Sequence, residues 1–266
     1  MRTVSSLSDL SGQVALITGG AGHIGRTVGG GLAELGCKLC LLDITDSDVD
    51  AVAAQLAERW GVEVLPLHVN LEEEAERART PAFLQRNFGR LDILINNAAF
   101  YTKEKLEGWV VPFEEQKLDV MRRCIEVNLT ACFHMSQLVS PLLRAARGRI
   151  INMGSIYGVL GPDMSLYGDT SMGNPAAYSM TKGGLVQLSR WMATTLAPDV
   201  RVNCLSLGGV FRNQPETFVA RYVARTPMKR MAIEEDFIGA VAYLATDLSA
   251  YVTGQNIMVD GGWSSW

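Results

Sequence analysis

The chain has 266 residues, 48% of them hydrophobic, enough for one large α/β domain whose sheet is covered on both faces. Its formal net charge of −4 supplies no basic face with which to displace counterions from nucleic acid, so a nucleic-acid partner is excluded. No apolar run approaches the roughly eighteen residues of a membrane span, and no charged start leads into a long apolar core, which excludes a membrane protein and predicts a cytoplasmic one.

In chain order, the first predicted strand (13–18) carries Val14-Ala15-Leu16-Ile17 into Thr18-Gly19-Gly20-Ala21-Gly22-His23-Ile24-Gly25 and then a helical stretch. Gly20, Gly22 and Gly25 satisfy G-x-G-x-x-G in the strand–turn–helix context that the motif requires. Backbone N–H groups and the positive helix end can there approach a pyrophosphate that a Cβ would hold away. The second strand (37–43) ends in Asp43, whose carboxylate can accept from both hydroxyls of an adenosine ribose. The same charge repels a 2′-phosphate, and no Arg or Lys follows it directly, so NAD(H) is favoured over NADP(H).

A third strand is predicted at 62–69. The run Glu72-Glu73-Glu74-Ala75-Glu76-Arg77-Ala78-Arg79 then reads as a solvated helix face, with acids in its first turn and bases later. Further strands are predicted at 91–96, 147–153, 200–206 and 256–260, alternating with helices. Several strands, such as Leu39 to Leu42, are continuously apolar, as in a parallel sheet buried on both faces. The expected fold is α/β: a single Rossmann-like domain over 1–266, a doubly wound parallel sheet of about seven strands with helices on both faces.

The five cysteines, Cys37, Cys40, Cys124, Cys132 and Cys204, read as buried thiols. Cys37 and Cys40 form C-x-x-C, but residues three apart on a strand point to opposite faces, and no second pair or suitable histidine stands nearby. His68 and His134 lack ligand partners at diagnostic spacing and read as structural, so no metal is implied.

Tyr178 and Lys182 stand four residues apart in Ala177-Tyr178-Ser179-Met180-Thr181-Lys182. On a helix, one face then carries a phenol beside an ammonium. A fixed cation stabilises the phenolate, which suits the pair to proton transfer.

Taken together, these residues resemble the short-chain dehydrogenase/reductase family, from about Asp9 to Trp263. Thr18 to Gly25 matches the family's T-G-x-x-x-G-x-G, with His23 where the middle glycine is usual. Asn96-Asn97-Ala98-Ala99 looks like its N-N-A-G element with Ala99 for the glycine. Asn128, Ser155, Tyr178 and Lys182 fall on its catalytic tetrad. The resemblance implies that Tyr178 exchanges a proton with the substrate oxygen while Ser155 hydrogen-bonds that oxygen. Lys182 holds the nicotinamide ribose, and Asn128 binds a water of a proton relay. Cofactor contacts are implied for Thr18, Gly19, Gly20, Gly22, His23, Ile24, Gly25, Asp43, Asn70, Asn97, Ala98, Gly208 and Val210, beside Tyr178 and Lys182. His23 is expected to crowd the cofactor. Asn70 replaces an Asp common near the adenine, and Leu207 replaces a proline, which leaves the nicotinamide loop freer to move. A homotetramer, or a homodimer, is implied through the helices carrying Asn128 and Tyr178, where Leu185, Leu188, Trp191 and Met192 serve an interface or the interior.

Between Ser155 and Tyr178 lie 22 residues, a span longer than is usual in the family. This insert offers Tyr157, Asp163, Tyr167, Asp169 and Asn174 to hydroxyl groups, a lining suited to a sugar or polyol, or else it is a solvent-exposed loop. The segment 209–230 lies where the family has its substrate lid and is locally basic. The expected function is an NAD(H)-dependent oxidoreductase interconverting a secondary alcohol and a ketone on a sugar or sugar-acid derivative. The pattern resembles the branch associated with bacterial surface-polysaccharide and flagellar-glycan pathways. The alternatives are a 3-oxoacyl thioester reductase, for which the basic lid would meet a carrier, and a non-catalytic dinucleotide-binding regulator.

Overall fold

Strands with no polar alternation can be satisfied only where helices cover both faces, and the chain builds that arrangement. The computed structural model describes residues 1–100 and 106–266. Its strands are β1 (Val14–Thr18), β2 (Lys38–Asp43), β3 (Val64–His68), β4 (Ile93–Asn96), β5 (Arg149–Ser155), β6 (Arg201–Leu207) and β7 (Asn256–Val259). They form one sheet in the order β3-β2-β1-β4-β5-β6-β7, and every pairing is parallel. All seven predicted strands are present. β5 and β6 run beyond the predicted ends at 153 and 206, because Ser155 and Leu207 continue each other's ladder.

The helices are α1 (Val4–Ser8), α2 (His23–Glu34), α3 (Val49–Trp60), α4 (Glu74–Arg77), α5 (Thr80–Asn87), α6 (Leu118–Ile125), α7 (Ala131–Ala146), α8 (Ala176–Leu196), α9 (Glu216–Arg225) and α10 (Ile238–Ala245). One core layer joins β1 and β2 to α2, α3 and α10 through Leu32, Val52 and Val241. The other joins the opposite sheet face to α5, α7 and α8 through Leu84, Met135 and Met192. The five thiols are free and buried. Cys37 belongs to the first layer and Cys40 to the second, so the C-x-x-C pair straddles the sheet. Burial pushes the Cys37 thiol up to about 12 and that of Cys132 to about 11.

The acidic-to-basic run departs from the expectation of a solvated face. Only Glu74–Arg77 is helical, and Arg77 is 2% exposed. A buried guanidinium needs its donors filled. Arg77 pairs with Glu126 at 2.7 Å, donates to the Leu71 carbonyl and donates through Nε to His134 Nδ1 at 3.0 Å. His134 is thereby structural. His68, half-exposed at the end of β3, sets Nε2 3.0 Å from Asp50.

Candidate active site

In an open parallel sheet, ligands bind beyond the carboxyl ends of the strands where the strand order reverses. Here β1 pairs with β2 on one side and with β4 on the other, so the crevice opens beyond the carboxyl ends of β1 and its two neighbours. The buried Thr18 Oγ1 accepts from the backbone N–H groups of Asn97 (3.0 Å) and Ala98 (3.1 Å). The Asn97 amide returns two bonds, to the Thr18 and Gly19 carbonyls, at 2.9 and 3.1 Å. Thr18 and Asn97 therefore brace the glycine turn. Gly25 lets α2 start against that turn, since a Cβ there would stand 2.1 Å from the Gly19 carbonyl oxygen.

A cleft of about 1000 Å³ lies above this turn. Of the predicted cofactor residues, Gly19, Gly22, His23, Ile24, Asp43, Asn70, Asn97 and Ala98 line it, whereas Thr18, Gly20, Gly25, Tyr178, Lys182, Gly208 and Val210 do not. Asp43 accepts from the N–H groups of Ala21 (2.9 Å) and Ile44 (2.8 Å), which fixes its carboxylate at the cleft's far end. Asn70 spends its side-chain oxygen on the Glu72 N–H at 3.0 Å, leaving its amide N–H groups for a ligand. Asp46, Val69, Leu71 and Arg212 also line the cleft and were not singled out in the sequence. The signal was there for Val69 and Leu71: apolar residues just past a strand's carboxyl end. The turn, the volume and the terminal carboxylate fit a dinucleotide.

The reacting end is built where β5 meets α8. Ser155, 5% exposed, closes β5, and its Oγ accepts from the Tyr157 N–H at 3.2 Å. The following turn, Ile156–Gly158, presses on α8 at Lys182, where a Cβ on Gly158 would meet the Lys182 carbonyl oxygen at 2.7 Å. That close approach holds Ser155 against the turn of α8 bearing Lys182. Lys182 is 4% exposed, its Nζ 5.8 Å from the Tyr178 ring centroid and 2.7 Å from the Met153 carbonyl that accepts from it. Asn128 sits in a π-helical turn, Glu126–Thr130, between α6 and α7. Its Oδ1 accepts from the Phe100 N–H at 2.6 Å, and its Nδ2 donates to Thr181 Oγ1 at 3.2 Å. Thr181, fully buried, thus links Asn128 to the Tyr178–Lys182 helix. Sequence reasoning passed over it and over Gly158.

The insert and the basic segment differ from expectation. Asp163 pairs with Arg225, and Asp169 with Arg221 at 3.2 Å, while Arg221 also donates to the Gly168 carbonyl. These carboxylates face α9 and are spent there. Arg212 meets Glu234 at 3.1 Å and Arg230 meets Asp236 at 2.5 Å, so each of the segment's four arginines already has a carboxylate. For Arg221 and Arg225 local charge in the sequence hid this, because the insert's acids lie far away along the chain. Tyr157 and Tyr167 hydrogen-bond each other at 2.8 Å, both half-buried, and Asn174 accepts from Ser179 Oγ at 3.2 Å. The loop after Leu207 is also tethered rather than freed. Gly208 N–H reaches the Val259 carbonyl at 2.9 Å, and Gly209 N–H reaches the Tyr222 hydroxyl at 2.6 Å. Strand pairing of Leu207 on both sides makes a proline unnecessary there.

Comparison with known proteins gives the same frame. The family model described as enoyl-(acyl carrier protein) reductase matches residues 19–264. The chain belongs to the short-chain dehydrogenase/reductase family. It is 30% identical to the 3-oxoacyl-[acyl-carrier-protein] reductase FabG of Thermotoga maritima, over 95% of this chain and 98% of that one. Among solved structures, a short-chain dehydrogenase from Leptospira borgpetersenii with bound NAD+ superposes with a TM-score of 0.84 at 31% identity, covering 99% of this chain and 96% of that one. A gluconate 5-dehydrogenase from Burkholderia cenocepacia, in complex with NADP and tartrate, gives 0.84 at 27% identity over 99% and 100%. As a short-chain dehydrogenase/reductase, the chain is an NAD(P)-dependent oxidoreductase of a small-molecule substrate, and none of its described helices is long and apolar enough to cross a membrane.

Proposed function

We propose that this enzyme interconverts a secondary alcohol and a ketone on a sugar or sugar-acid derivative, using NAD(H) in preference to NADP(H). The observation that carries the substrate class is the hydroxyl pair of Tyr157 and Tyr167 on the insert. Burial, with a further push from Tyr178, holds both phenols above their ordinary value, so both stay neutral and share one mutual bond. The remaining proton and lone pairs are left for the oxygens of a polyhydroxylated ligand, whereas a bare acyl chain would leave them unpaired. The bound nicotinamide supplies hydride transfer. Tyr178 gives or takes the proton at the substrate oxygen, Ser155 donates a hydrogen bond to that oxygen, and Lys182 keeps a positive charge beside the phenol. Asn128 extends this group toward solvent as a relay site, and 209–230 covers the substrate as a lid.

Reduction of 3-oxoacyl thioesters is the second reading, favoured by the likeness to FabG. The pairing of Arg212, Arg221, Arg225 and Arg230 with carboxylates weighs against a cationic landing site for a carrier. Turnover of sugars, sugar acids, nucleotide sugars and 3-oxoacyl thioesters, followed by nicotinamide absorbance, separates the readings. Turnover of polyhydroxylated substrates is expected, and activity confined to thioesters overturns the proposal.

Cofactor choice rests on Asp43, reinforced by Asp46 on the same wall, while Arg26 is occupied by Asp48 at 3.1 Å and by the Ala21 carbonyl. NAD(H) is expected to exceed NADP(H) in kcat/KM by about 10²-fold, on the order of 2.7 kcal/mol. Asp43→Ser is expected to remove most of that margin, and an unchanged ratio would move the determinant elsewhere. A cytoplasmic homotetramer belongs to this reading. Its support is the row of buried free thiols and the exposed pair Phe133 and Trp191, 6.5 Å apart on α7 and α8. Leu185 and Met192 are core residues, and Leu188 packs against the core.

A further inference from the structure

The loop that leaves β6 at Gly208 starts beside Ser155, because Ser155 and Leu207 are register partners on adjacent strands. A cofactor ring delivering hydride near Ser155 and Tyr178 must therefore lie along this loop. The loop's own bonds come from three directions: Gly208 N–H to Val259, Gly209 carbonyl from the Ala232 N–H at 3.0 Å, and Gly209 N–H to the Tyr222 hydroxyl at 2.6 Å. The first two are backbone bonds of the sheet and of its neighbouring bridge. The third comes from a side chain on α9, the helix whose Arg221 and Arg225 grip the insert.

Tyr222 is built to hold one position. It is 2% exposed, its ring stacks on Trp263 with centroids 4.4 Å apart at 17°, and its hydroxyl reaches Gly209 directly. Gly209 is in contact with the same ring, since a Cβ there would lie 2.9 Å from two ring carbons. Burial pushes the hydroxyl up to about 12, so the neutral phenol is the acceptor. Arg225, paired with Asp163, also lies over the Trp263 ring at 5.1 Å, which ties the insert to the stack.

We propose that Tyr222 is a positioning residue that couples the insert and α9 to the loop Gly208–Val210, holding that loop where the nicotinamide half of the dinucleotide binds. Its effect is expected to be confined to that half, because the part of the cleft proposed for the adenosine lies at the ends of β1, β2 and β3, on the far side of the sheet's switch point.

The test is Tyr222→Phe, which keeps the stacked ring and removes only the acceptor. The loop must then leave position to hydrate the Gly209 N–H and must return when the nicotinamide binds. Titrations are made with ADP and with whichever of NADH and NADPH the wild type binds more tightly. The dinucleotide is expected to bind about tenfold more weakly in the variant, with ADP affinity unchanged within twofold and kcat lowered. Equal weakening of both ligands, or of neither, would overturn the proposal. Should the variant not fold, hydrogen exchange on the wild type decides. Peptides covering 206–211 and 216–226 are expected to gain protection together when the dinucleotide binds and to gain none with ADP. Protection of the loop without α9 would refute the coupling.

Discussion

Tyr178→Phe is expected to lower kcat by about 10³-fold or more while leaving dinucleotide affinity within about twofold of wild type. A positioned acid–base group contributes about 10² to 10⁴ in rate, and among the described residues the phenols of the insert do not replace it. Tyr157 and Tyr167 are bonded to each other, and both are pushed up by burial. Binding is expected to be spared because the cleft proposed for the adenosine and pyrophosphate lies at the ends of β1, β2, β3 and β4, and Tyr178 does not line it. Stopped-flow turnover beside a fluorescence titration of NADH checks both halves. A variant that keeps turnover within threefold of wild type removes Tyr178 from the acid–base role.

Gly25→Ala is the second large effect. A Cβ at Gly25 would sit 2.1 Å from the Gly19 carbonyl oxygen and 3.0 Å from Gly20 Cα, and both neighbours are backbone. No rotamer change relieves that contact, so the turn must open and α2 must retreat from the cleft. Overpacking of this kind costs about 1–3 kcal/mol of stability, and the displaced N–H groups no longer meet the pyrophosphate. NADH affinity is expected to fall about 100-fold, on the order of 2.7 kcal/mol. Gly239→Ala, on α10 and outside the cleft, is the control, since a Cβ there meets nothing within 4 Å. It is expected to change NADH affinity less than twofold. Equal losses in the two variants would mean that the turn is not closed by Gly25.

The residues best read from the sequence are those whose role is local. A continuous apolar run such as Leu39–Leu42, short and bounded by Gly36 and Asp43, reads as a doubly covered strand, and all four of its residues are fully buried. The glycine turn and Asp43 could be read because phosphate and ribose binding depend on spacing within about thirty residues of one β-α-β unit. What depended on distant partners was not legible. Asp163 and Asp169 looked like ligands for hydroxyl groups until α9 supplied Arg225 and Arg221. Arg77 looked solvated because its partners, Glu126 and His134, arrive from the π-helical turn and from α7, beyond the next strand. The π-helical turn at Asn128 has no composition of its own, and Gly158 carries no motif, so its pressure on Lys182 is visible only once β5 and α8 are packed.

The five buried cysteines bear on how this protein meets oxidants. The thiolate is the form that peroxides and disulfides attack, and burial pushes Cys132 up to about 11 and Cys37 up to about 12. Near neutral pH both thiols therefore stay protonated. Buried inside the folded chain, all five sulfurs are as poorly accessible as these two are poorly nucleophilic. An oxidoreductase built this way keeps its own thiols apart from the reducing equivalents it moves.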